Sequence, residues 1–155
     1  AGQCLKRSGN KQSTMRNSTA SIVTTAQPQA LWRLFEDVAG WTRWNAGIER
    51  IALHGPFVTG STFDMKAPGM DAFRSTLREV RPLETFVDET VLGDTRFLVS
   101  HELHRLPAGG TRVTYAVRVE GPEAATLGPL VTADFPEVLA ALKALAEQVQ
   151  TARAA

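Results

Sequence analysis

Between Ile48 and Glu120 the chain breaks into six short runs: Ile48–His54, Ser61–Ala67, Ala72–Arg81, Thr85–Leu92, Arg96–Leu106 and Thr111–Glu120. The spacers are turn formers, namely Gly55-Pro56 with Gly60, Pro68-Gly69, Pro82, Gly93-Asp94 and Pro107-Ala108-Gly109-Gly110. A parallel pairing needs a crossover of roughly a dozen residues, which none of these spacers holds, so the runs are predicted to pair as antiparallel strands. Several runs mix apolar and polar residues, as in a sheet that is wet on one face.

The flanks supply what such a sheet must cover. "NSTASIVTTA" is rich in Thr, Ile and Val and reads as a first strand. In "QPQALWRLFEDVAGW" Leu31, Leu34, Phe35 and Val38 recur at the spacing of one helix face, with Pro28 in the first turn and Gly40 as the stop. "WTRWNAG" reads as a second helical turn. The chain closes on "ADFPEVLAALKALAEQVQTARAA", where Asp134 and Glu137 form a capping-box-like start. Val138, Leu139, Leu142, Leu145, Ala146 and Val149 then make one stripe, which must lie on the concave face of the sheet. "PEAATLGPLVT" before it is predicted to be helical, kinked or interrupted at Gly128-Pro129.

A length of 155 residues suits one domain, which at this size buries roughly two thirds of its unfolded surface. Cys4 is alone, so it forms no disulfide within the chain and builds no cysteine metal site. Lys6, Arg7, Lys11 and Arg16 are the only charges in residues 1–17; without them, 13 basic residues face 16 acidic ones. The remainder therefore lacks the basic footprint of a nucleic-acid binder. Residues 1–17 show no apolar secretory core and no initiating Met, and Met15 stands as a possible start, so they read as a disordered lead-in or expression remnant ahead of a single domain at 18–155. No run approaches the roughly 18 apolar residues that span a membrane, so no membrane insertion is expected.

The order β-α-α-β-β-β-β-β-β-α resembles the SRPBCC or START-like superfamily, and within it the branch of polyketide cyclases, dehydrases and lipid transport proteins. The resemblance rests on "QPQALWRLFEDVAGWTRWNAGIERI", "GSTFDMKAPG", "STLREVRPLETF", "HELHRLPAGGTRVTYAVRVEGP" and "LGPLVTADFPEVLAALKALAE", covering about residues 19–150. It implies an α+β helix-grip fold, in which about seven strands of curved antiparallel sheet wrap a long C-terminal helix around an elongated apolar cavity. A bacterial, cytoplasmic START-like domain, monomeric or homodimeric and needing no cofactor, is the corresponding expectation. Fold alone does not decide function.

If the last hairpin turns over "RLPAGG" with Leu103 opposite Val113, then His101 falls opposite Tyr115, Val99 opposite Val117 and Phe97 opposite Val119. That face is an apolar wall carrying one imidazole and one phenol. The two suit proton exchange and oxyanion donation during cyclisation or dehydration of a polyketide. They equally suit a hydrogen-bonded pair inside the wall, since a buried polar group needs a partner whether or not chemistry occurs. Phe63 and Met65 alternate with Asp64 and Lys66 and are expected to face inward. Met65, Met70 and Phe73 cluster at "APGMDAF" as an adaptable cavity mouth or as gap fillers. Trp44, Phe63, Met65, Phe73, Phe97, Val99, Val117, Leu139 and Leu142 are thus the expected ligand-binding set.

Other patterns carry less. "HELH" is one residue short of a zinc signature and lies on a strand, where His101 and His104 point to opposite faces, so no metal site is expected. Arg74 and Arg78 with Asp88 and Glu89 read as a solvated face of cross-strand ion pairs, the alternative being a buried Arg that anchors a carboxylate ligand. No Gly-rich loop suits a nucleotide. Trp41 and Trp44 in "GWTRWN" read as partly buried pins of the helical gate near a rim, the secondary alternative being ligand contact by one ring. The leading expectation is binding of a small lipophilic, lipid- or polyketide-like molecule. The alternatives are a cofactor-independent cyclase or dehydratase using His101 and Tyr115, and a co-chaperone-like protein-interaction domain.

Overall fold

The computed structural model describes residues 15–154. The strands are β1 (Met15–Thr24), β2 (Arg50–His54), β3 (Thr62–Lys66), β4 (Phe73–Arg81), β5 (Thr85–Leu92), β6 (Thr95–Arg105) and β7 (Thr111–Glu120). The helices are α1 (Pro28–Glu36), a 3-10 segment (Val38–Arg43), α2 (Ala124–Thr132) and α3 (Phe135–Ala154). One antiparallel sheet runs in the order β1-β7-β6-β5-β4-β3-β2, so the first strand closes against the last and every other connection is to a neighbour. The β6–β7 hairpin has the expected register, with His101 opposite Tyr115 and Leu103 opposite Val113.

The core lies between the sheet and the helices. Leu31, Leu34, Phe35 and Val38 are all buried, as are Val138, Leu139, Leu142 and Ala146 of α3. Polar contacts fix the far end of α3: Thr24 Oγ1 donates to Glu147 Oε1 at 2.8 Å, and the Gln27 amide donates to Gln150 Oε1 at 2.7 Å.

Several boundaries differ from the sequence reading. β1 begins at Met15, and Arg16 and Asn17 pair with Val119 and Arg118, so three residues assigned to the lead-in belong to the sheet. Residues 1–14, expected to be a lead-in, lie outside the described residues. α1 ends at Glu36 rather than at Gly40, which sits inside the 3-10 segment with the Asp37 carboxylate packed where a Cβ would be. α2 runs through Pro129 without interruption, the Thr132 hydroxyl donating to the Gly128 carbonyl at 3.3 Å. The span Ala124–Ala152 is, by length and composition, long and apolar enough to cross a membrane, contrary to expectation. It covers both α2 and α3, and α3 buries Val138, Leu139, Leu142 and Ala146 in the core.

Candidate functional site

Where the 3-10 segment, the α2–α3 elbow and the concave face of the sheet meet, a cavity of about 190 Å³ remains. Phe63 and Met65 come from β3, Phe86 and Asp88 from β5, Val99 and His101 from β6, and Tyr115 from β7. Trp41, Trp44, Gly47 and Ile48 close one side, while Val131, Asp134, Phe135 and Val138 close the other. Strand alternation sets the sheet part, because Phe86 and Asp88 are two apart on one strand and pair with His101 and Val99 on the next.

The walls are aromatic. Phe86 stacks on His101 with centroids 3.9 Å apart, Tyr115 meets His101 edge-on at 4.6 Å, and Trp41 stacks on Phe86 at 5.6 Å. Both tryptophans are buried rather than partly exposed near a rim, but they differ in role. Trp41 Nε1 donates to the Phe35 carbonyl at 2.8 Å and so pins the 3-10 segment to α1. Among the described residues Trp44 Nε1 has no hydrogen-bond partner, and neither has the Tyr115 hydroxyl, although their residues are only 4% and 3% exposed.

Asp88 is the residue the sequence reading misplaced. It was grouped with Glu89 on the solvated face, but the two neighbours point to opposite faces. Glu89 does join the ion pairs, accepting from Arg78 Nε at 3.0 Å and from Arg96, and Arg74 Nε bonds Asp64 Oδ1 at 2.8 Å. Asp88 instead lines the cavity, with its side chain 13% exposed. Its carboxyl accepts no hydrogen bond among the described residues, and burial alone pushes its pKa up to about 7. The usable signal was Val99, already placed inward: the strand paired beside it has to set one of its residues on the same face.

His101 lies 3.8 Å from Asp88 through Nδ1, which also sits 3.2 Å from the Phe86 carbonyl. A carbonyl only accepts, so Nδ1 carries the hydrogen and Nε2 is left as an acceptor. Burial lowers the imidazole pKa to about 3, the Phe86 bond opposing it more weakly. Near neutral pH His101 is therefore uncharged and the Asp88 contact is not an ion pair. Burial, followed by the Asp88 charge, raises the Tyr115 hydroxyl well above its ordinary range.

Of the expected ligand set, the structure brings Trp44, Phe63, Met65 and Val99 to this cavity, together with the expected proton-handling pair His101 and Tyr115. Phe97, Val117, Leu139 and Leu142 are buried in the packed core and Phe73 is Met65's cross-strand partner on β4, so none of these five is on the lining. They were chosen as inward-facing, but at this small volume most of the inward face touches protein. His104 lies on the opposite face of β6, exposed and 3.9 Å from Glu102. Asp134 precedes α3 as expected, yet its side chain makes no capping bond among the described residues and its carboxylate packs at Gly47, 3.0 Å from where a Cβ would stand.

The sequence profile of the family "Polyketide cyclase / dehydrase and lipid transport" matches residues 15–147. A search of curated protein sequences found no match. Among solved structures, a norcoclaurine synthase mutant from Thalictrum flavum bound to a transition-state analogue superposes with TM-score 0.71 at 10% identity, covering 88% of this chain and 96% of that one. The ZhuI aromatase/cyclase from Streptomyces sp. R1128 gives 0.72 at 13% identity, covering 86% and 94%. The di-domain aromatase/cyclase BexL of the BE-7585A pathway gives 0.74 at 14% identity; 88% of this chain is covered, and about half (52%) of that one. At such identities the likeness is one of fold.

Proposed function

The chain belongs to the polyketide cyclase / dehydrase and lipid transport family, and from that premise we propose that it binds a small, largely apolar molecule in the cavity between sheet and α3. The observation that carries this reading is a pair of buried donors without a partner among the described residues, Trp44 Nε1 and the Tyr115 hydroxyl, both on residues that line the cavity. Leaving a buried donor unpaired costs roughly 1–3 kcal/mol, and a bound guest offers both a partner. Size narrows the class. Drug-sized ligands occupy roughly 300–1,000 Å³, whereas a cavity of about 150 Å³ takes a single benzene ring. At about 190 Å³ this cavity suits one substituted ring, and an extended polyketide, sterol or acyl chain needs it to open.

Native mass spectrometry of freshly purified protein and calorimetric titration with single-ring compounds test the reading. Tyr115→Phe is expected to weaken binding of a hydrogen-bonding ligand about five- to tenfold, in line with one lost hydrogen bond. The apo variant should be no less stable than the parent, since the deleted hydroxyl is unpaired there. If no single-ring compound binds, and none is retained, the reading fails.

One observation favours a second, catalytic reading. A group that exchanges protons near neutral pH suits acid–base catalysis, and Asp88, with its pKa near 7, meets that requirement better than His101 at about 3. In a dehydration, the Asp88 carboxylate would take a carbon-bound proton and return it to the departing hydroxyl as water, while Tyr115 donates to the substrate oxyanion. Turnover lost in Asp88→Asn with binding retained would distinguish this from carriage. A bacterial, cytoplasmic setting and a monomeric or homodimeric state belong to the same proposal and rest on the family alone.

A further inference from the structure

We propose that the guest of this cavity is an organic cation, a single ring bearing a protonated amine, held with its ring among the aromatic walls and its ammonium group at Asp88. The inference rests on the binding reading above and names its ligand class. Its first support is the charge on the lining. The cavity carries two carboxyl groups, Asp88 from β5 and Asp134 from the α2–α3 elbow, and neither Lys nor Arg. An anionic guest would meet carboxylates with no cation to offset them.

The second support is the set of unmet acceptors. Asp88 accepts no hydrogen bond among the described residues, His101 keeps Nε2 as an acceptor, and the Tyr115 hydroxyl is buried without a partner. These stand on the adjacent strands β5, β6 and β7, and a primary ammonium has three hydrogens to donate. The walls are the third. Trp44, Phe63 and Tyr115 are lining rings of the kind whose faces attract cations as well as apolar groups. Trp44 Nε1, a donor only, remains for a hydroxyl or ring heteroatom on the guest. Among the described residues no three His, Cys, Asp or Glu side chains converge to hold a metal ion.

Burial raises the Asp88 pKa to about 7, so a cation that binds its carboxylate near neutral pH competes with a proton. The groups facing it are His101, Tyr115 and Asp134, and His101 and Tyr115 keep one protonation state over the range used below.

The test is calorimetric titration of the full chain with benzylammonium, its uncharged shape analogue ethylbenzene, and benzoate. At about pH 8 benzylammonium should bind at least about tenfold more tightly than ethylbenzene, the sum of one cation–π contact and one charge-assisted hydrogen bond. Benzoate should not bind. The margin should shrink as pH falls to about 5.5, where Asp88 is protonated, and collapse in Asp88→Asn. If ethylbenzene binds as well as benzylammonium, if benzoate binds, or if the margin survives at about pH 5.5 and in Asp88→Asn, charge recognition is wrong while the binding cavity stands. If none of the three binds, the cavity reading falls with it.

Discussion

At the scale of single residues the molecule turns on Asp88 and its neighbour. Glu89 is paired with Arg78 and Arg96 and contributes a satisfied surface cluster, whereas Asp88, one position away, loses its hydration and gains no donor. The consequence for stability has a definite sign. The folded protein keeps Asp88 protonated up to about pH 7, while the unfolded chain releases that proton near its ordinary value, so stability falls as pH rises between about 4 and 7. The full shift corresponds to about 4 kcal/mol at most. Asp88→Asn removes this titration. In urea denaturation it should match the parent near pH 4 and exceed it by a few kcal/mol near pH 8, the excess levelling off above about pH 7. An equal difference at both pH values would show that the carboxyl is solvated after all. His101 acts in the opposite direction, losing stability below its unfolded pKa, but it is common to both proteins. The sequence made His101 and Tyr115 legible because one hairpin register fixes both. Asp88 was hidden because charge identity outweighed strand alternation in reading "VDET".

At the scale of elements, helix periodicity carried most of the information. The α1 face Leu31, Leu34, Phe35 and the α3 stripe Val138, Leu139, Leu142, Ala146 are buried as the spacing requires. Phe35 touches Trp32, Trp44, Phe86 and His101 through its ring, so it links α1 to the cavity wall. Phe35→Ala should therefore cost about 3–5 kcal/mol and Leu142→Ala about 2–5 kcal/mol, both read by chemical denaturation. Phe35 is itself off the cavity lining but backs the lining rings of Trp44, Phe86 and His101, so Phe35→Ala should also enlarge the cavity. A loss well under about 1 kcal/mol at both positions would contradict the packing described. Boundaries were less legible than faces. Gly40 reads as a stop by composition, but α1 ends earlier at Glu36, capped by Asp37, whose amide still bonds the Arg33 carbonyl. Met15 to Asn17 are polar or isolated and show no strand pattern of their own; they become strand because β7 is long enough to pair with them. Side-chain volume was not legible at all. Inward-facing positions are set by alternation, but which of them face a void and which face a neighbour depends on how α3 settles on the sheet.

At the scale of the whole molecule, the sheet is open rather than closed on itself. Its edges are β1 and β2, and the chain between them is α1 and the 3-10 segment, so one side of the cavity is walled by helix and linker instead of strand. The facing side is the α2–α3 elbow, where Val131, Asp134 and Phe135 reach the same cavity. Neither side is held by a ladder of inter-strand hydrogen bonds. Amides near residues 45–48 and 132–137 should accordingly exchange with solvent deuterium much faster than those of the β6–β7 hairpin, and slow further when a single-ring guest is bound. Equal protection of elbow and hairpin would contradict this division. The consequence is one of mechanical economy. The seven strands set the chemistry of the cavity and stay in register, while its capacity is set by side-chain contacts at the elbow and the 3-10 segment. A larger guest can thus be admitted by moving two non-sheet segments apart. Relatives of this fold could diverge in the size of what they hold by repacking that seam, without altering a single strand pairing.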